Sequence, residues 1–166
     1  MSIDITVNES NVTVYDGGQS NYISAYDTTN QMQSGNNGTP LKYNTTVISS
    51  GISVVSNSRI TISNPGIYNI AFSAQLYKSD SGSDIVTIWL RKNGTNVGNT
   101  TTEVWLVGND GRSVAAWNFL VSADANDYFE IVWFSTDLAV FVDAVANLMS
   151  PSRPDIPSVI LTVWQI

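Results

Sequence analysis

Few side chains in this 166-residue chain could do acid-base chemistry. Glu9, Glu103 and Glu130 are its only glutamates. Glycoside hydrolysis, the reaction they would suit, needs one carboxyl to protonate the leaving group and another to attack or to activate water. Along the pattern 128–134, Glu130 shares a face with Tyr128, Val132 and Phe134, while Phe129, Ile131 and Trp133 take the other. It therefore reads as a rim or interface residue, and no catalytic residue is expected. Asp80-Ser81-Gly82-Ser83-Asp84 opens like a calcium loop, with oxygen side chains at alternate positions, but Arg91 stands at the twelfth position, where the motif needs a bidentate glutamate. A polar turn held by its aspartates is the reading that follows. Five tryptophans, Trp89, Trp105, Trp117, Trp133 and Trp164, could offer flat faces to sugar rings. Most sit in strand patterns, where packing is the default use, and Trp105, close to the 107–112 turn, is the best exposed candidate. Gly94-Thr95-Asn96-Val97-Gly98 lacks the Lys-Ser/Thr of a phosphate-binding loop and reads as a hairpin turn.

The absences narrow the field further. The chain has no Cys and no His, which removes thiolate nucleophiles, Ser-His-Asp and Cys-His relays, disulfides and the usual zinc sites. Its net charge of −7, from 7 Lys+Arg against 14 Asp+Glu, opposes binding to nucleic acid and to anionic membrane surfaces. No basic segment followed by an apolar run opens the chain, so no secretory leader is expected, and nowhere do eighteen apolar residues run together. The six Asn-x-Ser/Thr sequons, beginning at Asn8, Asn11, Asn37, Asn44, Asn93 and Asn99, are then by-products of composition.

The elements that must position these residues are strands. Only 13% of the chain is charged, against roughly 25% in ordinary domains. Its polarity comes instead from 21 Ser, 15 Thr and 17 Asn. The excess of 18 Val and 15 Ile over 8 Leu suits pleated sheet. Residues 1–19 form a distinct opening in which Ile3, Ile5, Val7, Val12 and Val14 alternate with polar residues before Asp16-Gly17-Gly18. This predicts an N-terminal arm of one or two short strands, with a single all-β domain over 20–166. Strands are expected over 22–26, 46–48, 52–55, 59–62, 67–77, 85–91, 102–107, 113–122, 128–135, 140–145 and 158–165, with the tightest turns at Asn64-Pro65-Gly66, Lys92-Asn93-Gly94 and Asn109-Asp110-Gly111. The loop 27–39 is expected to be exposed. Val140-Phe141-Val142 and Val159-Ile160-Leu161 are apolar on both faces, so other chain segments or another subunit should cover their outer sides. Val140, Val142, Val159, Leu161 and Val163 are accordingly predicted to lie in a subunit interface or in the core.

The segment from Arg59 to Phe72, with Asn64-Pro65-Gly66-Ile67-Tyr68 at its centre, resembles the C1q/TNF-like jelly roll, in which a strand, a Pro-Gly turn and an aromatic-bearing strand follow in this way. Ile88-Trp89-Leu90-Arg91-Lys92-Asn93-Gly94 resembles the family's strand ending in Lys-Asn-Gly, and Ala125-Asn126-Asp127-Tyr128-Phe129-Glu130-Ile131 its later turn and strand. More narrowly, 72–76, 89–94, 116–119 and 153–160 together resemble a version found in virion proteins of tailed bacteriophages, notably marine and cyanobacterial ones.

The resemblance covers roughly 22–166. It implies a ten-strand jelly-roll β-sandwich, usually trimeric, with termini at the trimer base and loops at the apex. No collagen Gly-X-Y stalk precedes the domain, and Ser158-Val159-Ile160-Leu161-Thr162-Val163 replaces the aromatic-rich ending of complement-type members. Complement-like ligand recognition is therefore not carried over. Some relatives hold calcium near the trimer axis, which makes Asp80, Asp84, Asp124 or Asp127 the residues to test for a cation, although no cofactor is expected.

The function expected is non-enzymatic: a homotrimeric decoration or cement protein of a phage head, found on the virion. Its arm residues Ile3, Ile5, Val7, Val12 and Val14 would bury against the major capsid protein, another virion protein or a neighbouring subunit. The alternative is a receptor-binding head of a tail fibre or tail tip, recognising a host surface glycan or protein through loops such as 27–39 and 107–112.

Overall fold

A computed structural model describes residues 3–8, 11–16 and 20–166, the side chains from residue 20 onward. The strands begin with β1 (Ile3–Asn8), β2 (Asn11–Asp16), β3 (Tyr22–Asp27), β4 (Gln31–Met32), β5 (Thr39–Pro40) and β6 (Thr45–Ser50). There follow β7 (Ile52–Val55), β8 (Arg59–Ile62), β9 (Gly66–Lys78), β10 (Ser83–Lys92), β11 (Thr95–Asn96) and β12 (Thr102–Val107). The last are β13 (Arg112–Ala123), β14 (Tyr128–Ser135), β15 (Val140–Val142), β16 (Leu148–Met149), β17 (Ser152–Arg153) and β18 (Val159–Gln165). No helix of the described residues is long and apolar enough to cross a membrane.

β1 and β2 pair as an antiparallel hairpin, Ile5 opposite Val14 and Val7 opposite Val12. The side chains of Ile3, Ile5, Val7, Val12 and Val14 lie outside the described residues. Apart from a separate small hairpin of β16 and β17, the described strands that follow build two antiparallel sheets that pack face to face. In the first, β6, β3, β18, β9 and β13 lie side by side, with β4 and β15 extending the β9 end; in the second, β12, β10, β14, β8 and β7 do so, with β11 and β5 added at the margins. This is the all-β jelly-roll sandwich expected of the sequence.

Alternation places the core. Along β9, Tyr68, Ile70, Phe72, Ala74 and Leu76 point inward and are buried. Facing them from the second sheet are Ile88, Leu90, Phe129, Ile131 and Trp133. Each fully buried aliphatic or aromatic side chain contributes about 1.5–3 kcal/mol of transfer free energy. Tyr68 keeps its hydroxyl satisfied by donating to the Asn64 carbonyl at 2.7 Å, while burial pushes the Tyr43 phenol far above its ordinary pKa.

Val140, Val142, Val159, Leu161 and Val163 are fully buried within the chain itself. Their outward neighbours differ from one another. Phe141 packs edge-on against Tyr77 with ring centroids 4.9 Å apart, whereas Ile160 stays 42% exposed, so among the described residues nothing covers the outer side of β18. The expected strand 140–145 stops at Val142, where Arg112 and the backbone of Gln75 take up Asp143. The loop 27–39 is exposed over much of its length but is stapled at both ends. β4 pairs with β15 and β5 with β14, and the buried Gln31 amide both donates to the Lys42 carbonyl and accepts from its N–H. Two-residue strands such as these carry no alternation to read, which is why the sequence does not announce them.

Candidate functional site

The outer side of the first sheet is a broad surface assembled in rows by the strand register. One row runs Leu120, Asn69, Trp164, Tyr22, Ser50, and the next runs Asn118, Ala71, Thr162, Ser24, Ile48. A third runs Ala116, Ser73, Ile160, Tyr26, Thr45. Partners directly opposite share a face, so these fifteen side chains form one surface. None is charged, although the chain carries 21 Asp, Glu, Lys and Arg in all (7 basic and 14 acidic). Leu120 is 65% exposed, Ile48 57% and Trp164 40%, while the middle of the surface is kept flat by Ala71, Ser73 and Thr162. Asn118 donates to Asn69 at 2.8 Å, which uses up polar capacity within the surface.

Charges gather at both ends of this surface. At one end the Arg112 guanidinium stacks 4.2 Å from the Tyr77 ring centroid and pairs with Asp143, and the Tyr77 hydroxyl donates to Asp110. At the other end Lys92 Nζ lies 2.7 Å from Asp127 Oδ2, the Asn93 amide donates to Asp127 Oδ1 at 2.6 Å, and the Asp124 N–H donates to Oδ2 at 2.8 Å. Lys92, Asn93 and that N–H, in this order of effect, hold the Asp127 carboxyl at about 2 against an ordinary 3.8. A carboxyl depressed on folding stabilises the fold above its unfolded pKa and loses that contribution as pH falls through its folded one. Asp127→Asn is therefore expected to lower the melting temperature at neutral pH, with the difference from the parent shrinking between pH 3.8 and about 2. Thermal melts across that range measure it.

The four aspartates considered for calcium do not converge. Asp124 and Asp127 sit in the Lys92 network, while Asp80 and Asp84 flank the ammonium of Lys78, at 3.3 Å and 2.5 Å. Oxygens of Asp80, Asp84 and Asp137 all lie within 4.8 Å of one another. The fully buried Lys78, whose Nζ also donates to the Ser81 carbonyl at 3.1 Å, thus supplies positive charge where a cation would be drawn. Sequence reasoning overlooked Lys78. The available signal was its parity, since it continues the inward series of β9 and a lysine there must find carboxylates.

Glu130 is buried on the outer side of β14, where Ser58 donates to Oε1 at 2.9 Å and Arg91 approaches Oε2 at 4.0 Å. Glu103 stands opposite Thr87 and Glu130 opposite Arg91. Strand geometry therefore separates the two glutamates by roughly 17 Å, outside the ~5–9.5 Å required of a hydrolytic pair.

No protein-family model matches the chain, and no curated protein matches it. Among solved structures the sandwich is similar to the globular domain of zebrafish complement 1qA protein, with a TM-score of 0.55 and 14% identity over 89% of this chain and 98% of that one. The architecture is thus the C1q-like jelly roll. On that scaffold the molecule presents a wide uncharged sheet face.

Proposed function

We propose that the protein is a homotrimeric structural component of a tailed-phage virion, decorating or cementing the head, and that it works by binding and not by turnover. The observation that carries the trimer is the uncharged face of β6, β3, β18, β9 and β13. Five strands and the five residues of β9 that the three rows span give it roughly 24 Å by 17 Å, on the order of 400 Å², about half of the ~800 Å² that each partner contributes to a standard interface. A flat, charge-free surface on an acidic chain, in which Leu120, Ile48, Ile160 and Trp164 stand among small polar residues, has the charge depletion of an interface core. Threefold assembly would let each copy repeat one contact and match a local threefold axis of a capsid lattice. The virion assignment is supported by the four sequence patches at 72–76, 89–94, 116–119 and 153–160.

In this reading residues 1–19 anchor the trimer to the particle. Deleting them is expected to leave a folded trimer that no longer sediments with virions; an unfolded product would place the domain boundary elsewhere. Copy number per purified particle, by quantitative mass spectrometry against the major shell protein, tests the location. A number commensurate with the capsid lattice supports head decoration. A few copies matching tail symmetry would shift the assignment to a receptor-binding head, which the 61% exposure of Trp105 on the second sheet favours as the alternative. Absence from particles would overturn both.

A further inference from the structure

The second sheet carries a different kind of surface on its outer side. Trp105 stands opposite Ile85, Phe134 opposite Thr87, and Trp89 opposite Val132, all with the outward parity of β10. The register sets Trp105 and Trp89 about 14 Å apart, four residues along and one strand across. Phe134 lies on the far side of β10 from Trp105, one strand and two residues from Trp89, and Glu103 and Thr87 fill the position between the two tryptophans. Two clefts meet at Phe134, which lines both: one of about 620 Å³ beside Trp89 and one of about 290 Å³ beside Thr87 and Glu103.

The larger cleft is built rather than incidental. The Trp89 indole N–H donates to Asn96 Oδ1 at 2.8 Å, fixing the ring. Gly38, at φ +79°, lies so close to Trp89 that a Cβ there would come within 2.4 Å of the ring, so the loop before β5 abuts the indole through a residue with no side chain. Arg91 donates to Asn96 Oδ1 at 3.3 Å and to the Asn37 carbonyl at 3.2 Å, and Glu130 faces its guanidinium. Its charge is thereby consumed inside the protein. What the cleft offers a ligand is an aromatic face and the exposed amides and hydroxyl of Asn36, Asn37, Asn96 and Thr95.

We propose that this face is a carbohydrate-binding trough that takes a neutral, unbranched oligosaccharide across Trp105, Phe134 and Trp89. Spaced aromatic platforms meet the apolar C–H faces of successive pyranose rings, and planar amides and hydroxyls answer the ring hydroxyls in a pocket of small-ligand size. An anionic glycan is disfavoured, because the lone arginine is neutralised and Glu103 and Asp84 line the far cleft. The trough lies on the sheet opposite the uncharged face, so it does not rest on the trimer; three copies in one assembly would add avidity.

The test is titration calorimetry with cellohexaose, xylohexaose, chitohexaose and maltohexaose on the full chain, with hexagalacturonate as the anionic probe. At least one neutral probe should bind, with affinity falling at least tenfold in Trp105→Ala and in Trp89→Ala and hexagalacturonate giving no heat. Trp105 is largely exposed, so its variant should retain the parent melting temperature and oligomeric state even if the Trp89 variant loses some packing. Silence from all four neutral probes at millimolar concentration, binding undiminished in Trp105→Ala, or equal binding of hexagalacturonate would overturn the proposal.

Discussion

Ser24→Glu combined with Ser73→Glu is expected to leave the protein folded and to break the proposed trimer into monomers at micromolar concentration. Both residues point outward from the first sheet, Ser24 opposite Thr162 and Ser73 opposite Ile160. In the free subunit the new carboxylates reach water, and the cost is limited to the strand propensity of Glu, within about 1 kcal/mol per site. In the trimer six carboxylates would enter a surface with no cation to meet them. Each unpaired buried charge costs several kcal/mol, so association should weaken by more than about a thousandfold. Sedimentation equilibrium or native mass spectrometry reads the state, and circular dichroism reads the fold. Leu161→Glu, one residue away but inward and fully buried, should instead unfold the chain. A double variant that stays trimeric would show that assembly uses another surface.

Lys78→Met should be the most damaging single change outside the apolar core. The parent side chain is fully buried and its ammonium stands between Asp80 and Asp84, with Asp137 close by. Removing it leaves carboxylates crowded together without a counter-charge, where breaking a buried pair is far worse than never having built it. A fall in melting temperature on the order of 10 °C is expected near neutral pH. Millimolar calcium should restore part of it, because the oxygens left behind lie close enough to share one cation. The parent should respond to neither calcium nor chelator. Calorimetric scans with and without the metal decide this, and a variant as stable as the parent would mean that the ammonium contributes nothing. The pH dependence has a definite sign. The Asp84 carboxylate, and after it Asp80, hold the ammonium above its ordinary 10.5 against the opposing effect of burial. That stabilisation is complete below 10.5 and is lost as pH rises through the raised value, so the parent's advantage over Lys78→Met should shrink in strong alkali.

Most of the fold could be read from local pattern. Alternation from Ile67 to Tyr77 marked β9, the Lys92-Asn93-Gly94 turn joins β10 to β11 with φ of 50° and 80° at its last two residues, and the strands 52–55, 59–62, 102–107 and 128–135 begin and end where the residue types change. The absence of His and Cys removes whole classes of catalysis on composition alone. These are statements about one strand, one turn or one residue type, and a chain carries them without reference to its own folding.

The surfaces are another matter. Alternation says that Ala71 and Ser73 share a face of β9, and separately that Ile160 and Thr162 share a face of β18. It does not say that β18 pairs with β9, nor that Ser73 stands opposite both Ile160 and Ala116. The charge-free face exists only because five strands, drawn from both ends of the sequence, meet in that register. The same holds for Lys78 and Asp137, which are brought together through β9 and the turn before β15, and for Trp105, Phe134 and Trp89, which come from three strands. Register between distant strands is selected by burial of the whole core at once, since a slip of one residue would turn every inward side chain outward. That selection is a property of the packed sandwich, and no window of sequence contains it.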